Sequence, residues 1–208
     1  MTLVQDKLCP NNECYLPRPP LSKAIFKFFS SLEQDILKAT NHPGAYRAYL
    51  FGGCALHIHT NARGSNDIDV EINAARRMEK TQVLITKASV TYQNGSTKRI
   101  LAFDTNFTPM LGPLHEDYQD DAIRLQSESY DSPLWTYVVT PEDLAVSKLG
   151  RFGAQDIDDI LTLLRMKKMT LDGFYKRATE AIDYYACNKT TATGNLNHIV
   201  RLYNQSND

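Results

Sequence analysis

Apolar and polar positions recur along the chain with two different periods, and the changes of period mark out its elements. From Leu21 to Lys38 an apolar stripe of Ile25, Phe28, Phe29, Leu32, Ile36 and Leu37 has helical spacing. Asn41-His42-Pro43-Gly44 ends that helix. Ala45 to Phe51 then predicts a strand, and Cys54 to Thr60 a short helix behind a pair of glycines. In residues 67–72, Asp67, Asp69 and Glu71 alternate strictly with Ile68, Val70 and Ile72. Residues two apart in a strand share a face, so one face is acidic and the other apolar. Val83–Tyr92 and Thr97–Asp104 predict two strands joined by a hairpin at Asn94-Gly95. On the second of these, Ile100, Ala102 and Asp104 share a face and Leu101 and Phe103 the other. Ala122–Gln126 and Leu134–Val139 predict further short strands. Thr140-Pro141-Glu142-Asp143 opens a helix with a capping box, and helical patterns at 156–167, 170–186 and 193–203 close the chain.

This order predicts an α/β (α+β) fold in which helices back a small mixed, strongly twisted sheet. It divides into an irregular Pro- and Asn-rich segment 1–20, a core 21–139, and a C-terminal helical portion 140–208. A chain of 208 residues fits one domain with such an appendage. A content of 42% hydrophobic and 23% charged residues argues against global disorder. No apolar run approaches the roughly 20 residues that span a bilayer. The N-terminus lacks a signal-peptide core, so the expected location is cytoplasmic and no membrane partner is expected. A net charge of −1 lacks the basic excess of a general nucleic-acid binder. The pairs Arg76-Arg77, Lys98-Arg99, Lys167-Lys168 and Lys176-Arg177 permit RNA binding and read equally as solvated faces. Cys9 and Cys14 have no matching Cys/His pair for zinc, so the four cysteines (with Cys54 and Cys187) read as reduced thiols.

The acidic face changes the picture from a fold to a chemistry. Carboxylates in a row repel one another unless cations intervene. Two carboxylates about 6–7 Å apart along a strand can share a divalent metal or a metal pair, an arrangement suited to phosphoryl transfer. Gly52-Gly53 stands fourteen residues ahead, where a strand turns into a helix. Glycines there let backbone N–H groups approach phosphate oxygens at a helix N-terminus.

Gly52-Gly53, the gap, and Asp67-Ile68-Asp69 resemble the signature of the DNA polymerase β-like nucleotidyltransferase superfamily. Arg63-x-Ser65-x-Asp67-Ile68-Asp69 looks like its AbiEii or toxin-type branch, as does the run from Thr140 through Lys148 and Arg151 to Asp156, Asp158 and Asp159. The resemblance covers about residues 46–200 and implies a sheet of that superfamily's type, with the C-terminal helices as the other wall of a nucleotide cleft. It implies Mg²⁺, in a two-metal site, on Asp67, Asp69 and Asp104, with Asp104 also the base that deprotonates the acceptor; a strand-end carboxylate capping a loop is the plain alternative. Glu71 has no counterpart in the family pattern. Gly52, Gly53 and Lys148 would hold the phosphates of a nucleoside triphosphate, and Arg63 can clamp a phosphate bidentately with help from the Ser65 hydroxyl. A lysine that lays its stem along the surface is the plain reading of Lys148. Many relatives carry Ser after the first glycine; here Gly53 leaves the cradle to backbone N–H groups.

The expected reaction is transfer of NMP from an NTP to an acceptor with release of pyrophosphate. Toxin-type relatives imply tRNA or a protein as acceptor and a cognate toxin or antitoxin partner. Antibiotic-modifying relatives imply a small-molecule hydroxyl; a non-catalytic, antitoxin-like module and a metal-free nucleotide-binding regulator are the remaining alternatives. His115, Glu116 and Asp117, in a turn-rich stretch, are candidates for substrate contact or plain surface polarity. His57 and His59, two apart on a helix, do not share a face and are not expected to form a metal pair.

Overall fold

The computed structural model describes residues 19–74, 89–126 and 131–206. The expected irregular N-terminus up to residue 18, Cys9, Cys14, Arg76-Arg77 and the first part of the predicted strand 83–92 lie outside them. The elements are α1 (Pro20–Leu37), β1 (Tyr46–Leu50), α2 (Gly52–Thr60), β2 (Asp67–Ile68), β3 (Val70–Ala74), β4 (Ser89–Asn94), β5 (Thr97–Phe103), a 3₁₀ turn (Pro109–Leu111), β6 (Ile123–Gln126), β7 (Leu134–Val138), α3 (Pro141–Ser147), α4 (Ala154–Arg165), α5 (Leu171–Tyr184) and α6 (Lys189–Gln205). Helices and mixed sheets together make the fold α+β, as the sequence predicts. Among the described residues no helix is long and apolar enough to cross a membrane.

The chain forms two compact units. One runs to Phe107 and takes up Ile123–Val138 again; the other comprises Thr108–Ala122 and the chain from Val139 onward. The sequence places 108–122 with the core, whereas the structure gathers it with the helices. Close packing accounts for this: a Cβ on Gly112 would lie 2.0 Å from the Ser147 carbonyl oxygen, and one on Gly150 would lie 2.2 Å from that of Leu111. Only glycine lets these backbones meet.

In the first unit a four-stranded sheet has the order β3-β1-β7-β6, and a three-stranded sheet the order β2-β5-β4. β1 runs antiparallel to β3 and parallel to β7, with Tyr46 beside Leu134 and Leu50 beside Val138. β2 runs parallel to β5, and β4 and β5 form the expected hairpin, with Asn94 paired to Thr97 and Gly95 at φ +62° in the turn. α1 supplies the core, with Ile25, Phe28, Leu32 and Ile36 at most 1% exposed. Phe28 stacks on Phe103 at 6.3 Å between ring centroids.

The single strand expected over 67–72 is two strands, because the chain changes sheets at Asp69. Successive carbonyls of an extended chain point to opposite sides. The Ile68 carbonyl accepts from the Asp104 N–H at 3.2 Å, while the Asp69 carbonyl accepts from the Phe51 N–H at 2.8 Å. One residue therefore ends the ladder to β5 and starts the ladder to β1.

In the second unit, the Thr140 hydroxyl caps α3 as predicted, accepting from the Asp143 N–H at 3.1 Å. Leu144, Val146, Ile160, Leu163, Phe174, Ala178 and Ile199 are fully buried and form its core.

Candidate active site

The site is built on the turn from β1 into α2. Gly52 takes φ +59°, a left-handed backbone that costs a residue with a Cβ about 1–2 kcal/mol. A Cβ there would also lie 1.6 Å from Asp69 Oδ2. At Gly53 a Cβ would lie 2.8 Å from Ser65 Oγ and 2.9 Å from Arg63 Nη1. The two bare Cα atoms therefore form a floor, with the Asp69 carboxylate over one and Ser65 and Arg63 over the other. No side chain caps α2's N-terminus, and the first N–H groups of a helix have no partner within it.

Asp67, Asp69 and Asp104 come from adjoining backbone. β2 sets Asp67 beside Ala102 and Ile68 beside Phe103, so Asp69 and Asp104 each follow the last pair of that ladder. Asp67 is exposed, and Asp69 and Asp104 are half-buried. Their side chains point to different tasks. Asp69 lies over Gly52, and Asp104 Oδ1 accepts from the Asn106 N–H at 2.8 Å in a tight turn. Among the described residues no group of three His, Cys, Asp or Glu side chains is gathered closely enough to hold a metal ion. The donor set itself, all carboxylate oxygen, fits a hard cation such as Mg²⁺. The glycine floor under Asp69 is the structural feature that fits this use, since any Cβ there would displace that carboxylate.

Three further residues hold this frame, and the sequence reading did not single them out for it. The Cys54 thiol donates to the Asp67 carbonyl at 3.3 Å, and the Ser65 hydroxyl donates to the same oxygen at 2.9 Å. Burial, followed by the nearby Asp69 charge, pushes the Cys54 thiol up to about 12, so it is a neutral donor and no nucleophile. His57 Nδ1 lies 3.0 Å from the Arg63 carbonyl, which can only accept, so that nitrogen carries the proton. Burial also lowers the His57 pKa and keeps the ring neutral. The Tyr92 hydroxyl donates to the Ser65 carbonyl at 3.2 Å. A Cys after the glycines and a Tyr on the inward face of β4 were visible as residues, but not their partners.

Lys148 belongs to the second unit. Its side chain is 6% exposed, with Nζ 2.7 Å from Asp159 Oδ2 and 3.3 Å from Asp156 Oδ1. Arg151 donates to both oxygens of Asp156, at 2.9 and 2.8 Å, and the Gly153 N–H adds a third bond at 3.0 Å. Burial works to raise the Asp156 carboxyl, yet these donors and the Lys148 charge hold it down at about 2. Arg177 donates twice to the fully buried Asp143 at 2.8 Å and reaches Asp121 at 2.9 Å. His115 is buried, with Nδ1 accepting from the Asp117 N–H at 3.2 Å and Nε2 lying 3.4 Å from Glu180. Thus Gly52, Gly53, Arg63, Ser65, Asp67, Asp69 and Asp104 all lie in one unit, with Asp69 against Gly52 and Ser65 and Arg63 against Gly53, while Lys148 is engaged by two carboxylates of the other.

A family model described as "Nucleotidyltransferase of unknown function (DUF6036)" matches residues 27–206, and the chain belongs to that family. No protein of curated function matches it.

Proposed function

We propose that this nucleotidyltransferase moves an NMP group from a nucleoside triphosphate to a hydroxyl or phosphate of an acceptor, in an Mg²⁺-dependent reaction. The observation that supports the reading most directly is the glycine floor, which sets Asp69 against Gly52, and Ser65 and Arg63 against Gly53. In this reading the N–H groups at the start of α2 and the Arg63 guanidinium hold the phosphates. Asp67, Asp69 and Asp104 would hold Mg²⁺ once their side chains turn towards it, and the ion would supply positive charge where the leaving pyrophosphate gathers negative charge. Asp104 takes the proton of an acceptor hydroxyl, for which its carboxylate leaves the Asn106 N–H. The acceptor oxygen bonds to the α-phosphorus, and the bond from that phosphorus to the bridging oxygen breaks. Positioning and charge neutralisation supply most of the rate. Lys148 is left out of the phosphate contacts because Asp156 and Asp159 already engage its ammonium.

For the acceptor, the toxin-type pattern Arg63-x-Ser65-x-Asp67-x-Asp69 favours tRNA or a protein, with a cognate antitoxin or toxin as partner. The test is incubation with each NTP labelled at the α-phosphate, together with total RNA and cell lysate. Label on RNA or protein that requires Mg²⁺ and disappears in Asp67→Asn/Asp69→Asn is the expected result. Labelling that persists in that variant would overturn the assignment.

A further inference from the structure

Within the first unit, α1 and β4 enclose a groove of about 290 Å³. Lys23, Ala24 and Lys27 line it from the helix, and residues 90–93 line it from the strand. Successive strand residues point to opposite faces, so four in a row line one groove only where the strand presents its edge. β4 is the last strand of its sheet among the described residues, so that edge offers backbone N–H and C=O groups to a further strand. Val90 and Tyr92 turn inward, while Thr91 and Gln93 are exposed.

The charge of the groove is one-sided. Lys23 and Lys27 are exposed, stand one helical turn apart, and form no ion pair among the described residues. Among the described residues no acidic side chain lines the groove. Residues four apart on a helix have Cβ atoms about 5–6 Å apart. Alternate residues of an extended chain are about 6–7 Å apart. An acidic side chain at every second position of an extended peptide therefore matches the two lysines.

We propose that this groove docks an acidic peptide segment of a partner protein, which adds to the β4 edge as an extended strand and sets its carboxylates on Lys23 and Lys27. A single-stranded nucleic acid is the poorer match, because such strands bind by stacking bases on exposed aromatic faces. Tyr92, the one ring among the described residues that line this groove, is 8% exposed. The inference does not depend on nucleotidyl transfer.

The test uses the full chain and a fluorescent eight-residue peptide of alternating Glu with Thr or Val. Saturable binding is expected, weakened at least tenfold in Lys23→Glu/Lys27→Glu and unchanged in Lys167→Glu/Lys168→Glu. The same peptide N-methylated at alternate residues should fail to bind, since it keeps the charges but loses the main-chain hydrogen bonds. Circular-dichroism melting checks the fold, and Lys23→Gln/Lys27→Gln replaces the Glu pair if that variant melts early. Equal binding by the lysine variants or by the N-methylated peptide would overturn the proposal. So would lysine-dependent binding of a labelled uridine oligonucleotide that displaces the peptide. Peptide binding that appears only after removal of residues 1–18 would assign the groove to the chain's own N-terminal segment instead.

Discussion

A methyl group at Gly52 meets two obstacles, a left-handed backbone at φ +59° and the Asp69 carboxylate 1.6 Å away. Gly52→Ala is expected to cost about 1–2 kcal/mol from the backbone alone, and to abolish Mg²⁺-dependent NTP binding by calorimetry as Asp69 moves. Gly53→Ala meets the far ends of Ser65 and Arg63, which can shift, so it should keep the fold. Lys148 makes a different prediction. Lys148→Ala takes the ammonium away from the buried Asp159 and Asp156 carboxylates, of which Asp156 keeps Arg151, a loss of about 3–5 kcal/mol measurable by urea unfolding. A lysine serving only a phosphate would leave stability unchanged. The acid limb follows from Asp156, whose folded pKa of about 2 lies below its ordinary 3.8. A depressed carboxylate stabilises the fold above its unfolded pKa, so about 2 kcal/mol should be lost as pH falls from about 4 to 2. Arg151→Ala should flatten that slope, as followed by unfolding at several pH values. At this scale the glycines and the acidic alternation were legible, because each signal lies within one short stretch. The bonds from Cys54 and Tyr92 were not, since each joins residues thirteen or more positions apart.

Elements were legible where a local rule makes them. The stripe from Leu21 to Lys38 is α1, the Thr140 cap starts α3, and Asn94-Gly95 marks the hairpin, all within a residue or two of expectation. The break at Asp69 was not legible, since the 67–72 pattern is that of one strand. Only the arrival of β1 on one side and β5 on the other divides it. The same limit applies to α3 and α5. The cap at Asp143 is written locally, but its bidentate partner Arg177 lies 34 positions away. Burial alone would lower the Arg177 pKa, yet the Asp143 and Asp121 carboxylates raise it, so the guanidinium keeps its charge. Arg177→Leu should therefore destabilise the helical unit by about 3–5 kcal/mol, because it takes the cation from a fully buried carboxylate that keeps a bond from the Thr140 hydroxyl. Hydrogen exchange should show faster opening of α3 and α5, with the strands of the other unit unaffected.

The two units are not two consecutive pieces of chain. β6 and β7 complete the first unit's four-stranded sheet from residues 123–138, after the chain has already contributed 108–122 to the other. A truncation after Phe107 removes β7 from the side of β1, and is expected to give a collapsed, poorly dispersed NMR spectrum in place of a folded core. The second unit resumes at Val139, just ahead of the Thr140 cap that opens α3. The earlier excursion carries no such mark, because it depends on Gly112 and Gly150 meeting distant backbone. The parallel pairing of β1 with β7 also sets a timetable for biosynthesis. Tyr46 waits for Leu134, 88 positions later, which a ribosome adding about 5–20 residues per second reaches after roughly 5–20 s. Through that interval β1 is a nascent strand with one edge open, and the faster the chain grows the shorter that edge waits for its partner.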